Sequence, residues 1–261
     1  MKPLLNIALL QEDLVWEDPS ANHRLAESYF TADSPATDLI VLPEMFSSGF
    51  TRDFSETPPY PSLSWMKELA ANRNCAVYGS VAVTEDSAAY NRGFWVNPDG
   101  SFEQYDKRHL FTYGKEHLSF QPGSTLLHTG IGPWSFRPLI CYDLRFPVWS
   151  RNVKPHYDVL IYIASWPAVR KEAWKALLKA RAIENQCYVI GVNRLGTDGY
   201  GLEYSGDSCV IDFKGELLLD AAARKGRFDV TLPWQDLHDF RQKFPFLEDA
   251  DKWQLTHFSA K

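Results

Sequence analysis

The stretch SFRPLICYDLRFPVW, residues 135–149, joins an apolar run to a turn that carries a cysteine. Residues 135–140 are predicted to form a strand that ends at Cys141, where the chain turns into a helix. The thiol then lies at the carboxyl end of a strand, where ligands commonly bind in α/β sheets, and the turn presents backbone N–H groups that can hold an anion. Position alone favours a buried structural cysteine, because free cysteine is among the most buried residue types. The stretch indicates an α/β fold and supplies one candidate nucleophile.

Short apolar runs alternate with amphipathic stretches over the rest of the chain. The runs predict strands at 4–10, 38–42, 75–83, 93–96, 102–105, 158–164, 187–192, 208–213 and 216–219. Helical periodicity predicts helices at 22–30, 62–72 and 173–185. Turns at Asp99-Gly100 and Lys214-Gly215 predict hairpins, whereas the helices predict crossovers between parallel strands. This mixture predicts an α/β fold with two mixed sheets and helices outside them.

No low-complexity segment or linker divides the chain. A single domain over residues 1–261 is therefore predicted. Hydrophobic residues make up 45% of the chain and aromatic residues 14%, which is enough for a core without disulfide bonds. The tail, about 234–261, is aromatic and charged, and we expect it to pack on the domain or on a partner subunit.

Charge and hydropathy exclude several classes of protein. The net charge is −6 and no cluster of Lys and Arg stands out, so a nucleic-acid-binding protein is not expected. No apolar run reaches the roughly 18–20 residues that span a bilayer, and the N-terminus lacks the features of a signal peptide. We therefore expect a cytoplasmic protein that does not bind membranes. In a reducing compartment its four scattered cysteines are expected to be free thiols, without a disulfide framework or a zinc site.

Three charged residues lie near the ends of predicted strands or in the loop that follows. Glu44 follows the strand at 38–42, Lys107 follows the strand at 102–105, and Glu116 lies in a loop rich in Gly and Phe. Taken singly, each segment favours an exposed residue, which would be a turn residue for Glu44 and a solvated charge for the other two. Together with Cys141 they form a set that can work as a unit.

The chemistry of that set is nucleophilic acyl transfer. A thiol attacks as the thiolate, and we expect the neighbouring cation to lower the thiol pKa. A carboxylate can take the thiol proton and return it to a leaving amine, and a lysine with a backbone N–H can stabilise an oxyanion. The alternative base for Cys141 is an imidazole, from His109 or His117. A metal site is less favoured, because no His, Cys and Asp cluster has ligand spacing.

Three motifs resemble a known family. LPEMF (42–46), YDKRHLF (105–111) and PLICYDLRFPVW (138–149) resemble the three signatures of the nitrilase (carbon–nitrogen hydrolase) superfamily, in the expected order. Within the superfamily the chain is most similar to the bacterial omega-amidases. The resemblance implies a four-layer α-β-β-α sandwich, a homodimer or higher assembly, and no metal or organic cofactor. It implies hydrolysis of a small-molecule amide, the terminal amide of 2-oxoglutaramate or 2-oxosuccinamate.

The same resemblance assigns roles to individual residues. It makes Cys141 the nucleophile, Glu44 the general base and Lys107 an oxyanion stabiliser. The backbone N–H of Tyr142 is then the second oxyanion donor, and Glu116 orients Lys107 and the substrate.

A substrate that ends in a carboxylate needs a cation in the pocket. Arg145, Arg170 and Arg194 are candidates for this role. Arg170 follows a strand end and can face the pocket, although a surface charge at a helix start is the alternative. For Arg145 the alternative is a structural ion pair.

Three aromatic residues near the motifs are expected to form the apolar wall that sets substrate size, namely Phe46, Tyr142 and Trp166. Two other functions stay open at this point. One is a related hydrolase that acts on another linear amide, an N-carbamoyl group or a nitrile. The other is a catalytically silent binding protein that keeps the fold.

Overall fold

The apolar runs form the strands of two six-stranded mixed sheets in the computed structural model, which describes residues 3–251. The first sheet contains β1 (Leu4–Gln11), β2 (Leu39–Val41), β3 (Ala76–Glu85), β4 (Ala88–Val96), β5 (Phe102–Asp106) and β14 (Gly226–Pro233). The second contains β6 (Thr129–Ile131), β7 (Trp134–Ile140), β8 (Val159–Ala164), β9 (Tyr188–Asn193), β12 (Ser208–Ile211) and β13 (Leu217–Ala222). Their strand orders are β14-β1-β2-β3-β4-β5 and β13-β12-β9-β8-β7-β6. A separate small hairpin pairs β10 (Leu195–Thr197) with β11 (Glu203–Ser205).

Helices cover the outer faces of the two sheets. The four α-helices are α1 (Pro19–Glu27), α2 (Pro61–Arg73), α3 (Lys171–Asn185) and α4 (Trp234–Lys243). Residues of α1 and α2 share an apolar cluster with one face of the first sheet, and α3 packs on β9 and β12 of the second sheet. The layers therefore run helix, sheet, sheet, helix, and the predicted four-layer α-β-β-α sandwich is confirmed.

Strand β1 shows why its sequence is apolar on both faces. Leu5, Ile7 and Leu9 belong to the cluster between the sheets, whereas Ala8 and Leu10 belong to the cluster beneath α1 and α2. Successive side chains of a strand point to opposite faces, so a strand between two covered faces must be apolar at every position. The near-continuous apolar run at the start of the chain is explained by this position.

The topology brings several strand ends to one end of the sandwich. Strands β1, β2 and β3 run parallel, and β5 regains their direction through the antiparallel β4. In the second sheet β7, β8 and β9 also run parallel. The segments that follow β2, β5, β7 and β8 therefore meet across the two sheets, as the contacts described below show.

The sequence patterns located most of these elements but missed some. The short strands β6, β10 and β11, the strand β14 and the helix α4 were not predicted. The first helix was predicted at 22–30 but begins at Pro19, because the Asp18 side chain caps it by accepting a hydrogen bond from Ala21 N–H at 2.9 Å. Between residues 3 and 251, no helix is both long enough and apolar enough to cross a membrane.

The tail packs on the domain as far as residue 251. The Arg241 guanidinium contacts Asp158 Oδ1 at 2.9 Å, and Gln186 Nε2 donates to the Phe244 carbonyl at 2.8 Å. The remainder of the predicted tail, 252–261, lies outside the described residues, and its packing against a partner subunit stays a prediction.

Replacing Leu178 by Ala is expected to destabilise the fold strongly. Leu178 is fully buried between α3 and β9, where Gly191 leaves no room for even a methyl group beside it. The cavity should lower the free energy of unfolding by about 2–5 kcal/mol. On the same helix, Ile183 is 48% exposed, and Ile183→Ala should change stability by no more than about 0.5 kcal/mol. Denaturant unfolding at 25 °C measures both, and equal losses would contradict this packing.

Candidate active site

Cys141 lies at the first position of a tight turn directly after β7. Its backbone has φ +45°, in the left-handed region that costs a non-glycine residue about 1–3 kcal/mol. A 3₁₀ segment, Cys141–Arg145, follows, and it contains the Tyr142 N–H in its first turn, where backbone donors lack helical acceptors. The thiol is nearly buried but reaches the wall of a pocket.

The buried carboxylate of Asp143 holds this turn in place. It accepts hydrogen bonds from the Ile140 N–H at 3.1 Å, the His109 N–H at 3.0 Å and the Tyr105 hydroxyl at 2.7 Å. The His109 ring also contacts Asp143, with Nδ1 to Oδ1 at 2.8 Å, and stacks on Phe146. The imidazole alternative for Cys141 stays untested for His109, whose Nδ1 is held by Asp143 and whose ring does not line the cavity at Cys141. His117 is exposed.

Glu44, Lys107 and Glu116 form one buried ion cluster beside the thiol. Lys107 Nζ lies 2.8 Å from Glu44 Oε1 and 2.9 Å from both carboxylate oxygens of Glu116. All three side chains are fully buried. The expectation of solvated charges at these positions, which each segment favoured by itself, is wrong. The thiol of Cys141 lies close enough to the cluster for the charges of Glu44 and Lys107 to act on it.

Glu44 connects the two sheets at this cluster. Its Oε1 accepts from Lys107, which follows β5 of the first sheet, and its Oε2 accepts from the Ser165 N–H, which follows β8 of the second, at 2.7 Å. The carboxylate is therefore held at both oxygens. Such fixed geometry is what a proton-transfer group requires.

The protonation of the cluster follows from burial and mutual charge. Burial disfavours the Lys107 ammonium, but the Glu116 and Glu44 carboxylates outweigh it and raise the pKa of Lys107 above its usual value. Burial, reinforced by the charge of Glu44, raises the pKa of Glu116.

The thiol behaves differently from the sequence-based expectation. Burial, with the nearby Glu44 carboxylate, raises the pKa of Cys141 well above its usual value, and the opposing effect of Lys107 is smaller. We expected the neighbouring cation to lower the thiol pKa. That expectation is wrong, because burial and Glu44 together raise this pKa by more than Lys107 lowers it. A neutral thiol at pH 7 needs a base at the moment of attack, and the ion cluster beside it contains two carboxylates.

A cavity of about 460 Å³ opens above Cys141 and Lys107. Its walls include Tyr142, Trp166 and Arg145, as well as the aromatic residues of the small β10–β11 hairpin and its loop. The cavity fits a small molecule.

Arg145 and Arg170 are among the cationic residues that line the cavity, together with Arg52, Lys107 and Lys115. The Arg145 guanidinium carbon lies 5.0 Å from the ring centroid of Trp166, and that of Arg170 lies 5.2 Å from the ring centroid of Phe111. Neither guanidinium forms an ion pair with any residue between 3 and 251. The structural ion pair considered for Arg145 is absent from this part of the chain, and both residues line the cavity.

Two residues predicted to reach the pocket do not line it. Phe46 is buried beneath α2, with its ring centroid 5.5 Å from that of Trp65, because its side chain faces the helical layer. Arg194 is fully buried and donates to the carbonyls of Leu195 and Leu14 at 3.0 and 3.3 Å. It supports the β10 segment from behind and presents no free cation to a substrate.

Sequence patterns missed two residues that contact the cluster. Asn91 on β4 donates to Glu44, and the backbone N–H of Ser165 does the same. Asn91 lies just before the predicted strand at 93–96, and asparagine is unfavourable within strands. Its position was therefore a usable signal of a special role. A backbone donor such as Ser165 N–H leaves no signal in side-chain identity.

Comparisons with known proteins agree with this architecture. The carbon-nitrogen hydrolase family matches residues 6–242 of the chain. The chain is 45% identical over 256 residues to omega-amidase YafV from Escherichia coli (strain K12), covering 97% of this chain and 99% of that protein. It is 33% identical to a 2-oxoglutaramate amidase from Bacillus subtilis (strain 168), covering 94% of this chain and 97% of that protein. Its structure is similar, at a TM-score of 0.94 and 38% identity, to a CN-hydrolase superfamily protein from Xanthomonas campestris with an arsenic adduct in its active site. That match covers 97% of this chain and 100% of the other.

The alkylation of Cys141 by iodoacetamide should rise mainly above pH 9. Because the thiol pKa is raised, the thiolate is scarce at neutral pH and accumulates only as the pH climbs past the ordinary range of a cysteine. Mass spectrometry after short exposures from pH 5 to 10.5 measures the rate at each cysteine, and the buried Cys75, Cys187 and Cys209 serve as internal references. A fast alkylation rate that stays constant between pH 5 and 8 is typical of a thiolate–imidazolium pair. That result would contradict a raised thiol pKa at Cys141.

Proposed function

The chain belongs to the carbon-nitrogen hydrolase family and is an amidase of the nitrilase superfamily that acts on linear amides, and from this premise we propose its substrate and its mechanism. Its substrates are short 2-oxo dicarboxylic acid monoamides, 2-oxoglutaramate and 2-oxosuccinamate. The products are the 2-oxo dicarboxylic acid and ammonia. The observation that carries the proposal is a cysteine beside a buried Glu–Lys–Glu cluster, at the base of a cavity that Arg52, Arg145 and Arg170 line without an ion pair from the described residues.

The acylation step uses the thiol and Glu44. The thiol proton passes to Glu44 while the sulfur of Cys141 bonds to the amide carbonyl carbon. The carbonyl oxygen becomes an oxyanion, held by Lys107 Nζ and the Tyr142 N–H, each worth about 3 kcal/mol of transition-state stabilisation. The C–N bond then breaks, and Glu44 returns its proton to the nitrogen, which leaves as ammonia.

The deacylation step releases the acid. Glu44, now ionised, takes a proton from water as the water oxygen bonds to the thioester carbon. The same two donors hold the second oxyanion. When the C–S bond breaks, Glu44 gives the proton back to the sulfur of Cys141, and the enzyme is regenerated.

Glu116 holds Lys107 for both steps. Its two oxygens each lie 2.9 Å from Lys107 Nζ, so the ammonium is anchored on one side while it faces the reacting oxygen on the other. Anchoring of this kind fixes the position of a flexible side chain before the substrate enters.

The charge of the cavity supports a substrate with a carboxylate. Arg145 and Arg170 line it without an ion pair from the described residues, and each stacks near an aromatic ring that limits its rotation. A guanidinium fork binds a carboxylate through two parallel hydrogen bonds. The relatives named as omega-amidase and 2-oxoglutaramate amidase fit such a substrate.

Replacing Cys141 by Ala should abolish the release of ammonia from 2-oxoglutaramate, because no thioester can form. Glu44→Gln should lower kcat by roughly 10²–10⁴-fold, because proton transfer to and from the thiol is lost. Cys209→Ala is the matched control, since that thiol is buried in β12 outside the cavity and should leave kcat unchanged. Rapid acid quenching and mass spectrometry should detect an acyl adduct on Cys141 of the wild-type protein. Wild-type turnover by Cys141→Ala would overturn the mechanism.

Replacing Arg170 or Arg145 by Gln should raise KM for 2-oxoglutaramate by about 10- to 100-fold, the effect of losing a charged hydrogen-bonding partner. KM for valeramide, a neutral amide of the same chain length, should hardly change. Arg151→Gln is the control, because Arg151 pairs with Glu184 and does not line the cavity. An equal rise for both amides would remove the carboxylate-binding role. If the wild-type protein turns over an N-carbamoyl compound or a nitrile faster than 2-oxoglutaramate, that class of compound would replace the proposed substrate.

A further inference from the structure

Asn91 lies at the centre of the ion cluster but does not line the cavity. It is fully buried on β4. Its amide nitrogen Nδ2 lies 2.8 Å from Glu44 Oε1 and 3.3 Å from Glu116 Oε1. One NH₂ group therefore donates to both carboxylates that contact Lys107.

The backbone of the same residue is tied to Lys107. The Lys107 N–H donates to the Asn91 carbonyl at 3.0 Å, directly after the last pair of the β4–β5 ladder, Arg92 with Asp106. Residue 91 thus fixes the main chain of the lysine and the side chains of both glutamates. No other side chain among the described residues donates to both carboxylates except Lys107 itself.

The cluster needs such a donor because its charges do not cancel. Two carboxylates, Glu44 and Glu116, face one ammonium, Lys107, beside the thiol of Cys141, and all are buried. Carboxylates that share a site repel each other and favour protonation of one of them. A hydrogen bond to the ionised form opposes that protonation, and one amide nitrogen placed against both oxygens acts on both groups at once.

The orientation of the amide is set by the carboxylates. If the amide were reversed, its oxygen would face two negative oxygens, so Nδ2 must point to the cluster. The opposite atom, Oδ1, is buried and accepts no hydrogen bond from residues 3–251.

We propose that Asn91 is a positioning residue of the amidase reaction, which holds the carboxylates of Glu44 and Glu116 aligned on Lys107 beside Cys141. The inference rests on the proposed function, since it assigns a task in that mechanism. Asn91 acts through the glutamates and makes no contact with the substrate.

The test compares Asn91→Ala, which removes the amide, with Asn91→Asp, which keeps its shape but replaces the donor by a third carboxyl group. The acid limb of the pH profile of kcat/KM should move to higher pH, by about one unit for Ala and further for Asp. At neutral pH, kcat should fall about 10- to 100-fold, while KM changes little, because the substrate contacts are intact.

The matched control is Asn152→Asp, which also alters a buried amide that donates twice. Asn152 Nδ2 binds the carbonyls of Tyr157 and Asn185, near the amino-terminal end of β8, away from the cavity. This variant should melt at a lower temperature than the wild type but keep the acid limb of the wild-type profile. A merely structural role for Asn91 would make its variants behave in the same way.

The assay uses whichever short amide the wild-type protein hydrolyses fastest, so a wrong substrate assignment leaves the comparison intact. A folded Asn91→Asp with wild-type kcat/KM and an unmoved acid limb would overturn the inference while the proposed function stands. Failure of both Asn91 variants to fold would assign the residue to stability and also overturn it. A wild-type protein that releases ammonia from no amide would overturn the proposed function, and the inference with it.

Discussion

The ammonium of Lys107, buried between two carboxylates, is the interaction on which the rest of the structure depends. A buried charge is tolerated only where opposite charges and hydrogen bonds replace the lost water. Here Glu44 and Glu116 supply three contacts of 2.8 to 2.9 Å, and removing Lys107 would leave two carboxylates without a counter-charge in the interior. The second sheet is joined to this cluster at Glu44, whose other oxygen accepts from the Ser165 N–H after β8.

The sandwich places the groups of the site at the ends of strands from both sheets. Glu44 follows β2 and Lys107 follows β5 in one sheet, while Cys141 follows β7 and Ser165 follows β8 in the other. Each side chain is placed by a strand whose position is fixed by apolar packing on both faces. The strain at Cys141 is sustained in the same way, because the buried Asp143 holds the turn with hydrogen bonds from several backbone and side-chain donors. The apolar core therefore maintains a polar site that would be unfavourable by itself.

The base and the walls of this pocket carry different charged groups. The base holds two carboxylates and one ammonium, which suits proton transfer, whereas the walls include Arg52, Arg145 and Arg170, which suit the recognition of an anion. The rings of Trp166 and Phe111 lie against the guanidinium groups of Arg145 and Arg170 and keep them in place without neutralising them. A substrate that carries a carboxylate at one end and an amide at the other can satisfy both regions at once. This division of charge fits the proposed acidic substrate although the base of the site is negative.

The sequence alone determined the layered α/β fold and most of the strands, because burial on two faces forces near-continuous apolar runs and because Asp-Gly turns have few alternatives. Its motifs also named Glu44, Lys107, Cys141 and Glu116, although position alone favoured a buried structural cysteine at Cys141 and an exposed residue at each of the other three. Only the tertiary structure decided what those groups experience. Burial and the Glu44 carboxylate raise the pKa of the Cys141 thiol where a nearby lysine suggested the reverse, His109 is bound to Asp143, Phe46 faces α2, and Asn91 joins two carboxylates. These properties depend on distances between residues far apart in the chain and on which face of a strand a side chain occupies, and periodicity along a sequence does not record either.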